Sequence, residues 1–505
     1  MTTLYNSALV ELRERLLEID DLERAKDVLE WDQTTYMPPG GAEGRARQLA
    51  TLERLAHSRR SDPALGELLN NLADYVEKLP DDADDAALIR VAKRDYDRAT
   101  RVPTALMGEI ANHTGQSYSA WAEARPKNDW ATMRPFLEKT LELSRRYAEC
   151  FPEAEHIADP LIDGSDEGMT VATIRPLFSE LRAFLTPLVA AIRAKPEPDA
   201  SFIFQYYPED KQWAFGEQII RDFGYDFHRG RQDKTHHPFM TRFNWGDCRI
   251  TTRFDEHYLN AGLFATLHEA GHALYEMGTE KSYDGSPLGG GTSAGVHESQ
   301  SRTWENIVGR SLPLWKHYYP KLQETFPEQL GKVDLIAFYH AINKVQPSLI
   351  RVEADEVTYN LHVIIRFELE CELLEGKLTI AELPEAWNAR YQEYLGVSSP
   401  TYSDGVLQDV HWFAGLIGGM FQGYTLGNIL SGQFYAAARK AIPNLHQQWE
   451  EGNFEPLHTW LRENIYRHGR KYTTLELVKR VTGGPIELGP YQEYLTTKYS
   501  DIYGL

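Results

Sequence analysis

The chain has 505 residues, 42% hydrophobic and 25% charged, with 53 basic against 74 acidic side chains and a formal net charge of −21. Such a composition builds an ordinary globular core, as one large domain or two lobes. So acidic a surface repels phosphate backbones and anionic lipid, which argues against nucleic-acid and membrane partners.

Cys150, Cys248 and Cys371 are far apart and odd in number, so they form neither a disulfide framework nor a CxxC metal motif. They read as small buried hydrophobes of a reducing compartment. The first 31 residues lack the basic, apolar and small-residue regions of a signal peptide. No apolar run approaches the ~20 residues that span a bilayer. A cytoplasmic location is the expectation.

In chain order, "YNSALVELRERLLEIDDLERAKDVLEW" places apolar residues at three- and four-residue steps, the pattern of a helix packed on one side. "WDQTTYMPPGG" (Trp31 to Gly41) reads as a helix end followed by a reversal. Helical periodicity resumes through "RARQLATLERLAHS". Asp81, Asp82, Asp84 and Asp85 precede another helix, where acidic residues complement the macrodipole as a solvated start. Strand signal concentrates between Thr235 and Tyr258, where β-branched and aromatic residues alternate around "NWGD", a hairpin-like turn. No repeat or linker divides the chain, so the expected fold is all-α, mainly helical, with a small β-sheet.

Residues Leu263 to Met277 fit a helix with Leu263, Leu267, Ala270, Gly271 and Leu274 as its packed stripe. Within it "HEAGH" projects His268 and His272 from adjacent turns, a spacing that lets two imidazoles reach one ion at ~2.0–2.1 Å. Glu269 is rotated by about 100°, which suits a base acting on water beside the ion. Tyr275 and Gly278 stand where an HExxHxxGxxH protease needs Gly and His, so that branch is excluded. "SPLGGGTSAG" (Ser286 to Gly295) lacks the Lys-Ser/Thr of a P-loop and reads as a flexible loop joining two helices.

The second of those helices, "SAGVHESQSRTWENIVGRS", turns Val296, Trp304, Ile307 and Val308 to its apolar side and carries Glu298 near its start. Two antiparallel helices can present His268, His272 and Glu298 to one ion with a fourth position open for water, a catalytic rather than a closed site. Glu276, Glu305 and Asp284 compete as ligands, and His297 points elsewhere around its helix, toward a supporting or packing role.

"HEAGH", "HESQSR" (His297 to Arg302), "IRVEAD" (Ile350 to Asp355) and "GVLQDVHW" (Gly405 to Trp412) together resemble the signature motifs of the carboxypeptidase Taq family. "HPF" (His237 to Phe239), "DCRIT" (Asp247 to Thr251) and "WDQTTYMPPGG" resemble that family's pattern as well, in its order, over most of the chain. The resemblance implies a two-lobed helical metallopeptidase with a deep groove, related in fold to the neurolysin and angiotensin-converting peptidases. It implies a broad-specificity metallocarboxypeptidase, commonly homodimeric, that uses zinc or sometimes cobalt on peptides with a free C-terminus. By the matching motifs His268, His272 and Glu298 would be the ligands and Glu269 the general base.

Besides the metal and its base, a carboxypeptidase needs two further elements, a stabiliser of the oxyanion and a cation for the substrate's terminal carboxylate. His411 and Tyr424 in "QDVHWFAGLIGGMFQGY" are the candidates to donate to the oxyanion, with Asp409 two residues from His411. For the substrate's carboxylate the planar fork of Arg is favoured. Arg351 is the first choice, with Asp355 four residues on as a helical neighbour able to hold it; a surface ion pair is the plain alternative. Arg249 is the rival, and the resemblance sets its segment and His237 near the closed end of the groove. Asp247 and Arg249 can equally pin a hairpin. Two other functions remain: an oligopeptidase or dipeptidyl peptidase of the neurolysin type on the same centre, and a non-catalytic helical protein stabilised by its metal.

Overall fold

A computed structural model describes the backbone from Thr2 to Leu505 and the side chains from Ser7 onward. Helices dominate it, and its only sheet among the described residues has three short strands, β1 (Gln232–Lys234), β2 (Met240–Asn244) and β3 (Asp247–Thr252). β2 and β3 form the expected antiparallel hairpin about Trp245 and Gly246, with a register shift between Arg242 and Asn244. β1 adds parallel to the other edge of β3 and lies before the segment in which strand was read. At three residues it is too short for alternation to reveal.

The N-terminal helices Thr2–Thr35, Pro63–Asn71 and Asp84–Arg101 share an apolar cluster of their own around Leu12, Leu16, Leu69, Leu72 and Leu88, distinct from the main core. The first helix also leans on the hairpin. Buried Trp31 meets Phe243 edge-on at 6.3 Å, and Tyr36 donates to Asp233. The "WDQTTYMPPGG" turn is structural, closed by Arg45 onto Asp32 at 2.6 Å. The acidic run is a solvated helix start, with Asp81, Asp82 and Asp84 exposed, and two of its carboxylates are also paired. Tyr283 and Lys471 each donate to Asp84 at 2.7 Å, and Arg13 to Asp85 at 2.6 Å.

Helix Leu259–Gly278 lies in the main core and is buried on nearly all sides, as a helix apolar around most of its circumference must be. It crosses helix Ala294–Arg302 at Gly271. A Cβ there would stand 2.6 Å from Ser301 Cα and 2.7 Å from the Gln300 carbonyl, so only glycine admits this approach. Helix Phe421–Ala441 closes in from the other side at Gly427, where a Cβ would fall 2.5 Å from Glu298 Cγ. The Ala294–Arg302 helix is held at its start by Ser293, which accepts from Val296 N, and by buried Asp166, which accepts from Gly295 N at 2.7 Å. It does not continue as α-helix: residues Thr303–Val308 form a π-helix, a widening common beside functional sites. The glycine loop before it is tethered rather than loose. Gly291 N donates to Glu276 at 2.9 Å and Thr292 N to Tyr275 at 3.1 Å.

Gly427→Ala should therefore displace Glu298, lowering stability by ~1–3 kcal/mol and metal affinity by at least about tenfold. Gly108→Ala, whose Cβ meets nothing within 4 Å, should change neither. Thermal melting with chelator competition on both variants checks this.

Candidate metal centre

The crossing of the two helices brings His268, His272 and Glu298 together, with one ligand atom from each lying within 4.8 Å of the others. Glu298 Oε2 is 3.4 Å from His272 Nε2 and 3.7 Å from His268 Nε2. A tetrahedral ion with ligands at about 2.05 Å sets them about 3.3 Å apart, so the three atoms fit one ion with little movement.

Each ligand is aimed by a partner on its far side. His268 Nδ1 meets Glu305 Oε2 at 2.8 Å. His272 Nδ1 lies 2.6 Å from His297 Nδ1, and His297 Nε2 lies 2.8 Å from Glu276 Oε1. With Nδ1–H of His272 donating to His297, and Nε2–H of His297 to Glu276, both ligand rings present bare Nε2 atoms to the same point. Glu276 and Glu305, read from sequence as competing ligands, stand on the far side of the rings, Glu305 against His268 and Glu276 against His297. Asp284 is taken by Arg242 at 2.7 Å and leaves the contest.

Glu298 is buried, yet it stays ionised. Burial pushes its carboxyl up, but Arg302 and then the two histidines outweigh it and hold the group well below the carboxylate range. Arg302 Nε donates to Glu298 Oε1 at 2.7 Å and its Nη1 to Glu305 at 3.0 Å, so one guanidinium serves both carboxylates. Burial is the main cause of the neutral state of His272, held at about 4. Burial disfavours charge on His268 too, but Glu298 and Glu305 reverse the sign and raise it.

Glu269 is buried and takes no hydrogen bond from the described residues. Burial first, with the Glu298 and Glu305 charges adding and His268 opposing, pushes it up to about 7. A carboxylate poised there can accept a proton and return it.

A second cluster gathers beside this centre. Arg351 is not a surface residue but 5% exposed, in a short 3₁₀ turn, Arg351–Glu353. Asp355 does not hold it; that carboxylate accepts from Gln346, Val357 and Thr358 backbone amides at 3.0 Å and caps the following turn. The partner is Asp409, whose Oδ1 accepts from Arg351 Nε at 3.0 Å and Nη2 at 2.7 Å, while Oδ2 accepts from fully buried Arg366 at 2.6 Å. Asp409 stands 3.9 Å from His411 Nδ1, too far for a hydrogen bond, so it orients the arginine rather than that ring. His411 Nε2 and Tyr424 Oη lie 3.0 Å apart, and the Tyr424 ring is 5.1 Å from the Arg351 guanidinium. Burial, then Arg351, lowers His411 to about 4, and burial raises the Tyr424 phenol, so both are neutral and able to donate.

His237 is exposed, with its Nδ1 3.0 Å from the Pro238 carbonyl oxygen. Arg249 is gripped at both ends by Asp247, at 2.9 and 2.8 Å, and lies 4.4 Å over Trp31, the hairpin-pinning arrangement. Sequence reasoning missed the hold of Arg302 on Glu298, although a spacing of four on one helix was a readable signal. It also missed Arg366, for which no local signal exists.

A His–His–Glu set borne on two buried helices, with an orphan glutamate beside it, defines a helical metallopeptidase. The family model for carboxypeptidase Taq (M32) metallopeptidases matches residues 11–499, and the chain belongs to that family. It is 44% identical to thermostable carboxypeptidase 1 of Thermus thermophilus over 488 residues, 94% of each chain. The solved M32 carboxypeptidase of Deinococcus radiodurans shares 51% identity and a TM-score of 0.96, covering 99% of this chain and 100% of that one. The solved carboxypeptidase of Pyrococcus furiosus shares 33% and 0.94, covering 97% and 99%.

Glu305→Gln should weaken metal binding by ~10–100-fold, read by chelator competition. The Asp409 carboxyl has burial against it, but Arg351 and Arg366 prevail and depress it far below its unfolded value of about 3.9. Its stabilisation is thus present above about pH 4 and lost as pH falls further. Asp409→Asn should cost about 3–5 kcal/mol at pH 7, and the difference from wild type should shrink as urea midpoints are followed down to about pH 3.5.

Proposed function

We propose that the chain is a zinc-dependent carboxypeptidase that removes single C-terminal residues from peptides with broad specificity. The donor set of two imidazoles and a carboxylate suits zinc and also accommodates cobalt. When bound, the ion supplies Lewis-acid polarisation of the scissile carbonyl and activation of water.

The residues of the chain do the rest. Glu269 takes the proton of the attacking water on its carboxylate and returns it to the leaving amine. Tyr424 and His411 donate to the oxygen that gains charge. Arg351 receives the terminal carboxylate. The observation that carries the reading is the state of this arginine. It is buried and fixed through Nε, Nη1 and Nη2, and the donor count leaves one further N–H on each terminal nitrogen for the two oxygens of a carboxylate. His237 limits how far a peptide extends past the centre. Arg249 supports that end by holding the hairpin. The proposal includes a cytoplasmic homodimer whose single domain, residues 1–505, forms two lobes flanking a groove; the separate N-terminal core supports the lobes.

Metal-loaded wild type should shorten a free-acid peptide by single residues and leave its C-terminal amide intact. Glu269→Gln should keep its metal and lose at least about 100-fold in kcat. Mass analysis of both peptides decides: internal cleavage of both would replace this reading with an oligopeptidase, and tight metal without cleavage with a structural site.

A further inference from the structure

Tyr359, the first residue of helix Tyr359–Glu375, touches both halves of the site. The Arg302 guanidinium, which grips Glu298, lies 4.4 Å over its ring. Its hydroxyl accepts from Arg351 Nη1 at 3.0 Å, and its ring stands edge-on to Tyr424 at 6.4 Å. The residue is 6% exposed, and Asp355 caps the turn that delivers it through hydrogen bonds to Thr358. A planar ring between two guanidiniums, stacked on one and hydrogen-bonded to the other, is a rigid spacer with two χ angles and nowhere to go.

We propose that Tyr359 is a positioning residue that fixes the distance between the metal ligand Glu298 and Arg351, and so sets the point of cleavage one residue from the peptide's end. The inference rests on the reading of Arg351 as the carboxylate site. The physical reason is reach. A carboxypeptidase measures from the carboxylate to the scissile carbonyl; Asp409 bonds Arg351 from one side, and the rings of Tyr424 and Phe421 pack on the guanidinium without a hydrogen bond to fix its reach. Remove the Tyr359 hydroxyl and the guanidinium keeps Asp409 but loses the hydrogen bond on Nη1, the one that ties it to the ring stacked on Arg302.

The test compares Tyr359→Phe, Tyr359→Ala and Arg351→Ala, each metal-loaded, on a peptide free acid and its amide, together with chelator-competition metal affinity. Tyr359→Phe should raise KM for the free acid about tenfold with kcat within about twofold, cut the acid-to-amide ratio about equally, and begin to release dipeptides. Its metal affinity should not change, because the ring remains on Arg302. Tyr359→Ala should in addition weaken metal binding about tenfold. An unchanged acid-to-amide ratio in Tyr359→Phe, with that ratio lost in Arg351→Ala, would overturn the inference and leave the Arg351 reading standing. A ratio unchanged in Arg351→Ala would remove the Arg351 reading, and this inference with it.

Discussion

Everything at the centre depends on how closely three helices approach one another. Histidines on one helix and a glutamate on another reach a common ion only if the two backbones nearly touch, and side chains larger than hydrogen forbid that. Gly271 removes the obstacle between the histidine helix and Ser301, and Gly427 removes it behind Glu298. The glycine of "HEAGH" is thus not filler between two ligands. It is the contact point that lets the third ligand arrive, and Gly427 presses that ligand forward from the opposite side.

Such packing buries charge, and the structure offsets each buried charge locally. Arg302 lies between Glu298 and Glu305, so the ligand and the carboxylate that aims His268 share one cation. Asp409 does the converse, one carboxylate between Arg351 and Arg366. Removing a member of either group strands an unpaired charge in a low-dielectric interior, which costs far more than losing a surface pair. Glu269 differs from these groups: it is a buried carboxylate with no cation bonded to it, and burial pushes it up to about 7.

The π-helix over Thr303–Val308 belongs to the same economy of space. It carries Glu305 to His268 and Trp304 into the fully buried core. The tethered glycine loop works likewise for the other ligand. Gly291 binds Glu276, and Glu276 holds His297 against His272. The two ligand histidines are therefore oriented by different means, one directly by a carboxylate and the other through a second imidazole.

What could be read from sequence was what lies within a few residues on one element. His268, Glu269 and His272 share two helical turns, so period alone placed them. The hairpin and the long N-terminal helix were legible for the same reason, the pairing of two helices extended the reading to Glu298, and the family motifs extended it to Arg351 and His411. Local spacing misled where the partner is distant. Asp355, four residues from Arg351, was the obvious mate, but a 3₁₀ turn sends it to cap the backbone and leaves Asp409, 58 positions away, to hold the guanidinium. Arg302 was within reach of the helical rule, whereas the π-helix and Tyr359 carry no local signal. Sequence by itself determined the helical class and the placing of His268, Glu269 and His272 together on two turns of one helix, because periodicity and side-chain chemistry act over one or two turns. Tertiary structure alone decided which carboxylate joins the two histidines and which stand behind the rings, and which arginine is buried, because helix approach and charge compensation join residues that the chain keeps far apart.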